Sequence, residues 1–337
     1  MRFNQSKKET IISYILEKVG QGCKTLSKTV AENFEINQNT VHRYIDELIE
    51  KGVLVRKKRG EYQLTSFEKE FCLLRSEGDL RSDIAVYEKT LEPLVQKFSE
   101  NVRSIWSYVF TEMINNAIDH SEAEGVYVKV WQNSLETVVS IYDDGIGIFR
   151  KIRDHFGLDS TEDAIGELFK GKLTTDKENH SGEGIFFSSK MVDDFLIFSD
   201  GNLFAKNRFE RTEVFLAESK EQSGTLVRMQ LRNDSKKCCK EIFDQYSNDD
   251  GGFWKTKLPL KNIFSSSPVS RSQAKRLCNR LEQFEEVELD FEGLDWMGQG
   301  FAHQLFVVFL QEFPQVKLIP IHMSESVEKM YKHVMNT

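Results

Sequence analysis

Glu112 and Asn116 stand four residues apart in the run Thr111-Glu112-Met113-Ile114-Asn115-Asn116-Ala117-Ile118-Asp119-His120. On a helix that spacing puts a carboxylate and an amide on one face, one turn apart. The amide oxygen of Asn116 can ligate Mg2+, a hard cation that prefers oxygen. The carboxylate of Glu112 can orient or deprotonate a nucleophile beside phosphates. A second run, Asp143-Asp144-Gly145-Ile146-Gly147-Ile148, follows the apolar stretch Thr137 to Tyr142. Its carboxylate at a strand end can accept a hydrogen bond from an adenine amino group, and its glycines let backbone come close to a ligand. A third run, Ser181-Gly182-Glu183-Gly184-Ile185-Phe186-Phe187, opens an apolar helix, and a glycine-rich helix start offers free N–H groups and a favourable dipole to phosphate. Alone, the first is an ordinary polar helix face and the second a common turn sequence. In fixed order between Ser107 and Ser189 the three describe a pocket for a nucleotide and its magnesium.

The elements needed to position these residues are legible around them. Gly125 to Gln132, with Val126, Val128 and Val130 alternating, and Glu136 to Tyr142 form an antiparallel pair. Ile185 to Val192 continues as a helix; Phe195 to Ser199, Phe204 to Lys206 and Thr225 to Leu231 alternate as strands, the last preceded by Ser223-Gly224. Thr161 to Asn179 reads as a long polar connection, a mobile lid. Upstream, residues 67–106 form a connector in which Asp83 to Phe98 is a helix interrupted near Pro93.

The order E-x-x-x-N, D-x-G-x-G, G-x-G at a helix start, then G-T before a strand resembles the GHKL ATPase superfamily over roughly residues 80–235. That resemblance implies a Bergerat-fold α/β sandwich, with ATP and Mg2+ held between sheet-backed helices under a flexible lid. Carried over, it implies Glu112 as general base and Asn116 as magnesium ligand. Asp143 would bind adenine, Gly145 and Gly147 would pack against it, and Gly182 and Gly184 would hold phosphates. Thr225 would lie near the phosphates or near the adenine-bound water. The third box usually begins with a further glycine, where this chain has His180. No phosphoacceptor-histidine helix precedes the domain, which argues against an ordinary sensor histidine kinase.

Residues 1–66 carry 12 Lys and Arg against 8 Asp and Glu, a basic head on a chain whose net charge is −8. Apolar stripes mark three helices: Thr10 to Val19, Leu26 to Phe34 with Thr25 as cap, and Gln38 to Lys51 with Asn37 as cap. Val53-Leu54-Val55, Arg56-Lys57-Lys58-Arg59-Gly60 and Glu61-Tyr62-Gln63-Leu64 then read as a hairpin with a basic tip. This order resembles the winged helix-turn-helix family. It implies DNA as partner, with Gln38, Asn39, Thr40, His42 and Arg43 at the major groove and Arg56, Lys57, Lys58 and Arg59 on phosphates. Such heads usually read paired half-sites, which is compatible with a homodimer.

Lys236 to Gly252 is charged and reads as a linker into a module over 253–337. There Arg271 to Phe284 (capped by Ser270), Val287 to Phe291, Gly298 to Phe313, Val316 to Ile321 and Ser324 to Val334 alternate as helices and strands, a small α/β layer. S-R-S-Q-A-K-R-L, V-E-L-D-F-E-G-L and G-Q-G-F-A-H-Q-L resemble the STAS-like DUF4325 family, related to anti-sigma-factor antagonists, and imply a protein partner. Where those antagonists carry a phosphorylated serine, this chain has Trp296-Met297-Gly298-Gln299-Gly300, without a hydroxyl.

The expected fold class is therefore multidomain α+β: winged-helix head, Bergerat-fold α/β sandwich, small STAS-like layer domain. Five scattered cysteines, none in a C-x-x-C pair, argue against a disulfide framework and a zinc site. No apolar run spans a bilayer, and Met1 to Lys8 is polar, so a cytoplasmic protein is expected. The leading functional expectation is a DNA-binding regulator switched by ATP and coupled to an interaction tail. The alternative is an ATPase or an anti-sigma-type Ser/Thr kinase acting on a protein. A relic pocket in an interaction protein is the third reading.

Overall fold

The computed structural model describes residues 5–172, 182–205, 223–248, 252–264 and 266–336. Three helices open the chain: α1 (Gln5–Gly20), α2 (Leu26–Phe34) and α3 (Gln38–Glu50). Their stripes close a small core around Ile11, Ile15, Leu26, Val30, Val41 and Ile45, each 0–2% exposed. Asn37 caps α3 by accepting from the Asn39 N–H at 2.8 Å. Thr25, expected to cap α2, makes no such bond; its hydroxyl lies 3.2 Å from that of Thr29 instead. The antiparallel hairpin β1 (Leu54–Lys58) and β2 (Glu61–Leu64) follows, so Arg56 to Lys58 extend a strand and the turn falls at Arg59-Gly60.

The centre is a six-stranded antiparallel sheet in the order β3-β4-β5-β8-β6-β7. Its strands are β3 (Phe67–Leu74), β4 (Gly125–Gln132), β5 (Glu136–Asp143), β6 (Asp194–Ser199), β7 (Asn202–Ala205) and β8 (Thr225–Arg232). β3 comes from the stretch that reads as connector: its full-length pairing with β4 recruits it to the sheet edge although its side chains are mostly exposed. The expected interrupted helix is two pieces, α4 (Asp83–Thr90) and α5 (Glu92–Val95), with Pro93 opening the second, where its missing N–H costs nothing. Across one face of the sheet lies α6 (Glu100–His120), which buries Ile105, Trp106, Val109, Phe110, Met113 and Ile114.

Beyond β5 come α7 (Ile148–Phe156) and α8 (Thr161–Lys170). α8 corrects the expectation of an irregular lid beginning at Thr161. Ser160 caps it through the Asp163 N–H at 3.2 Å, and Ala164, Leu168 and Phe169 bury a helical stripe. Residues 173–179 of the expected lid, together with His180 and Ser181, lie outside the described residues, as does Lys206. α9 (Gly184–Met191) leads into β6. The segment read as a linker carries a helix, α10 (Cys239–Tyr246), whose Tyr246 is buried.

The last part is a three-stranded parallel sheet, order β11-β10-β9, made of β9 (Lys255–Pro259), β10 (Glu286–Asp290) and β11 (Lys317–Ile321). Helix α11 (Arg271–Cys278) has a full capping box between Ser270 and Gln273. A continuous helix follows over Gln299–His303, Gln304–Val308 and Phe309–Glu312, its middle segment one π turn. The final helix, α12 (Glu325–Met335), is capped by Ser324. One apolar cluster joins the two sheets through Phe186, Phe253 and Phe284, whose rings meet at 4.6 and 5.4 Å. No helix among the described residues is long and apolar enough to cross a membrane.

Candidate functional site

α6 is long enough to be apolar toward the sheet and polar on its other side. Its inward residues recur at three- and four-residue steps, which leaves Glu112, Asn115 and Asn116 half-buried at the border. Opposite, β5 ends at Asp143 next to Thr225, the first residue of β8. The Asp143 carboxylate is buried and accepts the Gly145 N–H at 3.0 Å. Burial pushes this carboxyl up to about 6, although Gly145 and Thr225 hydrogen bonds oppose the rise. The Thr225 hydroxyl also accepts the Ile148 N–H at 3.0 Å, which ties the start of α7 to the sheet.

The glycines are where side chains have no room. A β-carbon on Gly145 would stand 2.1 Å from the Ser121 carbonyl oxygen. Gly147, at φ +87°, has the Asp200 carboxylate 2.5 Å from the same position. Gly184, at the start of α9, faces Glu112 so closely that its β-carbon would fall 1.9 Å from Oε2. Helix α9 therefore begins against the polar border of α6, with its first N–H groups beside Glu112.

Between these elements lies a cavity of about 370 Å³. Glu112, Asn116, Asp143, Gly147, Gly182, Gly184 and Thr225 all line it, so seven of the eight pocket residues read from sequence converge. Gly145 does not line it; it sits behind, against Ser121. Sequence reading missed Asn115 and Lys151, which also line the cavity. The Lys151 ammonium donates to the His120 carbonyl at 2.7 Å, joining α7 to the end of α6. Its signal was a lysine one turn into the helix after the D-x-G-x-G box.

Residues 102–235 match the family model described as histidine kinase-, DNA gyrase B-, and HSP90-like ATPase. They form an ATP-binding module of the GHKL type. Residues 273–328 match a STAS-like domain of unknown function (DUF4325). No curated protein matches the chain. A GHKL module implies ATP, typically with Mg2+, and the residues present fit both. Glu112 and Asn116 offer oxygen donors to a hard cation, Asp143 is a buried acceptor, and Gly182 and Gly184 line the cavity at the start of α9, the kind of helix end that suits a polyanion.

Of the residues expected to face DNA, Gln38, Asn39, His42 and Arg43 are exposed along α3, and Thr40 is half-buried. Arg56, Lys57, Lys58 and Arg59 are exposed on the hairpin. Arg56 pairs with Asp46 at 3.0 Å and Lys58 with Glu61 at 2.9 Å. Among the described residues Lys57 and Arg59 form no ion pair.

Proposed function

We propose that this protein is a cytosolic DNA-binding regulator in which ATP, bound by the GHKL module, sets the relation between a winged-helix head and a STAS-like tail that meets a protein partner. The observation that carries this reading is a buried ion cluster. Glu167 of α8 pairs with Lys170 at 2.6 Å and with Arg280 at 3.1 Å, and both acidic and lysine side chains are almost wholly enclosed. The Lys170 ammonium also donates to the carbonyls of Asn279 and Arg276, at 2.7 and 3.2 Å. Leu168, between these two charges in sequence, lines the nucleotide cavity. One helix thus lines the nucleotide cavity and pairs with the tail, and in this reading a shift of that wall is passed to the tail through the cluster.

A second link supports coupling to the head. β8 starts at Thr225 in the cavity and ends at Arg232, which pairs with Glu17 of α1 at 3.2 Å. That pair is half-exposed and contributes little energy; its place on the cavity strand is what counts.

In this reading Asn116 holds Mg2+, Asp143 receives the adenine amino group, and Gly182 and Gly184 cradle phosphates. Bound Mg2+ supplies charge neutralisation for the phosphates. The second reading, a true ATPase or an anti-sigma-type kinase, is favoured by Glu112, since a pure binder has little need of a base. The two are separated by phosphate release from the full chain and its Glu112→Ala variant, measured beside DNA binding with and without ATP. DNA affinity that ignores ATP in both proteins would sink the switch.

A further inference from the structure

Lys151 is the one lysine or arginine among the described residues that line the nucleotide cavity. It stands one turn into α7, its N–H bonded to the carbonyl of Gly147, which caps that helix. The first residue of α7, Ile148, is tied to the sheet through the Thr225 hydroxyl at 3.0 Å. The lysine is therefore presented by a seated helix and not by a loop. Its ammonium donates to the His120 carbonyl at 2.7 Å. His120 ends α6 four residues after Asn116, about 6 Å along the helix axis, and both residues line the cavity.

Two roles compete for this lysine. The first is a tie between helices: the last carbonyls of α6 have no partner within the helix, and a cation suits that negative end. That role uses one of the three N–H donors of an ammonium. It also leaves the charge unmatched, since among the described residues Lys151 forms no ion pair. The second role uses what the first leaves over. A triphosphate carries more negative charge than one Mg2+ neutralises, and the carboxylates in this lining, Glu112 and Asp143, have the wrong sign to balance the rest. Lys151 has the right sign, lies on the cavity wall, and stands one turn of α6 from Asn116.

We infer that Lys151 is the phosphate-binding cation of this site. One N–H stays on the His120 carbonyl while the others bond phosphate oxygens, so the residue sets a preference for the polyphosphate nucleotide over its bare nucleoside. The inference rests on the reading of this cavity as an ATP site. Hydrogen bonds from an ammonium to phosphate are charge-assisted and about twice as strong as neutral ones, so removing the charge weakens ATP and spares a ligand without phosphates.

The test is calorimetric titration of the full chain with Mg-ATP and with adenosine, in wild type, Lys151→Gln and Lys151→Arg. Glutamine keeps an N–H donor for the His120 carbonyl and removes the charge. Mg-ATP affinity is expected to fall about tenfold or more in Lys151→Gln and to stay within about threefold in Lys151→Arg, with adenosine affinity within about threefold throughout. Mg-ATP affinity should also depend less on salt in Lys151→Gln than in wild type, a readout that needs no adenosine signal. A parallel loss of adenosine and Mg-ATP, or an unchanged salt dependence, would make Lys151 only the tie between α6 and α7. Unchanged Mg-ATP affinity in Lys151→Gln would overturn the inference and leave the ATP site standing. A wild type that binds neither ligand would sink the ATP reading itself, and this inference with it.

Discussion

Gly184 stands so close to Glu112 that any β-carbon on the glycine would fall 1.9 Å from the glutamate Oε2. The obstructing atom is the far end of a flexible side chain, so Gly184→Ala is expected to fold with little loss while pushing Glu112 out of place. At Gly145 and Gly224 the obstructing atoms are backbone: the Ser121 carbonyl at 2.1 Å and the Asp143 carbonyl at 1.9 Å. Gly145→Ala and Gly224→Ala should cost about 1–3 kcal/mol of stability, and Gly224, at φ +93°, suffers the added strain. Chemical denaturation of the three variants should separate them, with only Gly184→Ala near wild type. Nucleotide affinity or phosphate release in Gly184→Ala should nonetheless fall about tenfold.

Asn116→Ala should abolish the magnesium-dependent part of ATP binding seen by calorimetry, because the amide oxygen it removes is the donor one turn from Glu112. Glu112→Ala should leave binding and remove turnover if the module hydrolyses ATP. An Asn116→Ala protein that binds Mg-ATP as tightly as wild type would remove the assignment.

Asp143 gives a pH signature. Its carboxyl is raised by burial to about 6 from an ordinary 3.8, so the folded state holds the proton more tightly than the unfolded state. Its contribution to stability is therefore greatest below about pH 4 and is lost as pH rises through about 6. The ionised form is the one that accepts from an adenine amino group. ATP affinity should rise several-fold between about pH 5 and about pH 7 in wild type and stay flat in Asp143→Asn. An unchanged profile in that variant would assign the pH dependence to another group.

The cluster of Glu167, Lys170 and Arg280 should be unforgiving. Burial lowers the proton affinity of Lys170 and the adjacent Glu167 opposes that, so each charge depends on the other. Glu167→Gln leaves the buried Lys170 and the half-buried Arg280 without their anion and should cost about 3–5 kcal/mol. Hydrogen exchange should localise the loss to α8 and the Arg276–Arg280 stretch; exchange unchanged there would mean the cluster does not join the domains.

Lys57 and Arg59, the two basic hairpin residues that form no ion pair among the described residues, should dominate phosphate contacts if the head binds DNA. Replacing both with alanine should reduce the slope of log affinity against log salt by about 2, with little change in sequence preference. A slope that does not move would take the hairpin off the DNA.

Much of the chain was legible because its signals are local. The period of Val126, Val128 and Val130 marks β4, Ser270 before an apolar stripe marks a capped helix, and the glycine boxes mark where backbone must approach. β3 escaped because an edge strand with mostly exposed side chains shows no buried alternation; its pairing partner β4 defines it. α8 escaped because its polar residues and its glycine, Gly166, read as loop until Ser160 and the stripe Ala164, Leu168, Phe169 are seen together.

By itself the sequence determined which side chains carry chemistry and which local elements present them, since helix faces, strand alternation and caps depend on neighbours a few residues away. Only the tertiary structure decided what those side chains meet. Thr225 reaches the Ile148 amide across 77 residues, and Arg280 reaches Glu167 across 113. No periodicity encodes such pairs, because they depend on how whole elements pack, and burial then raises the proton affinity of Asp143 and lowers that of Lys170 and Lys190.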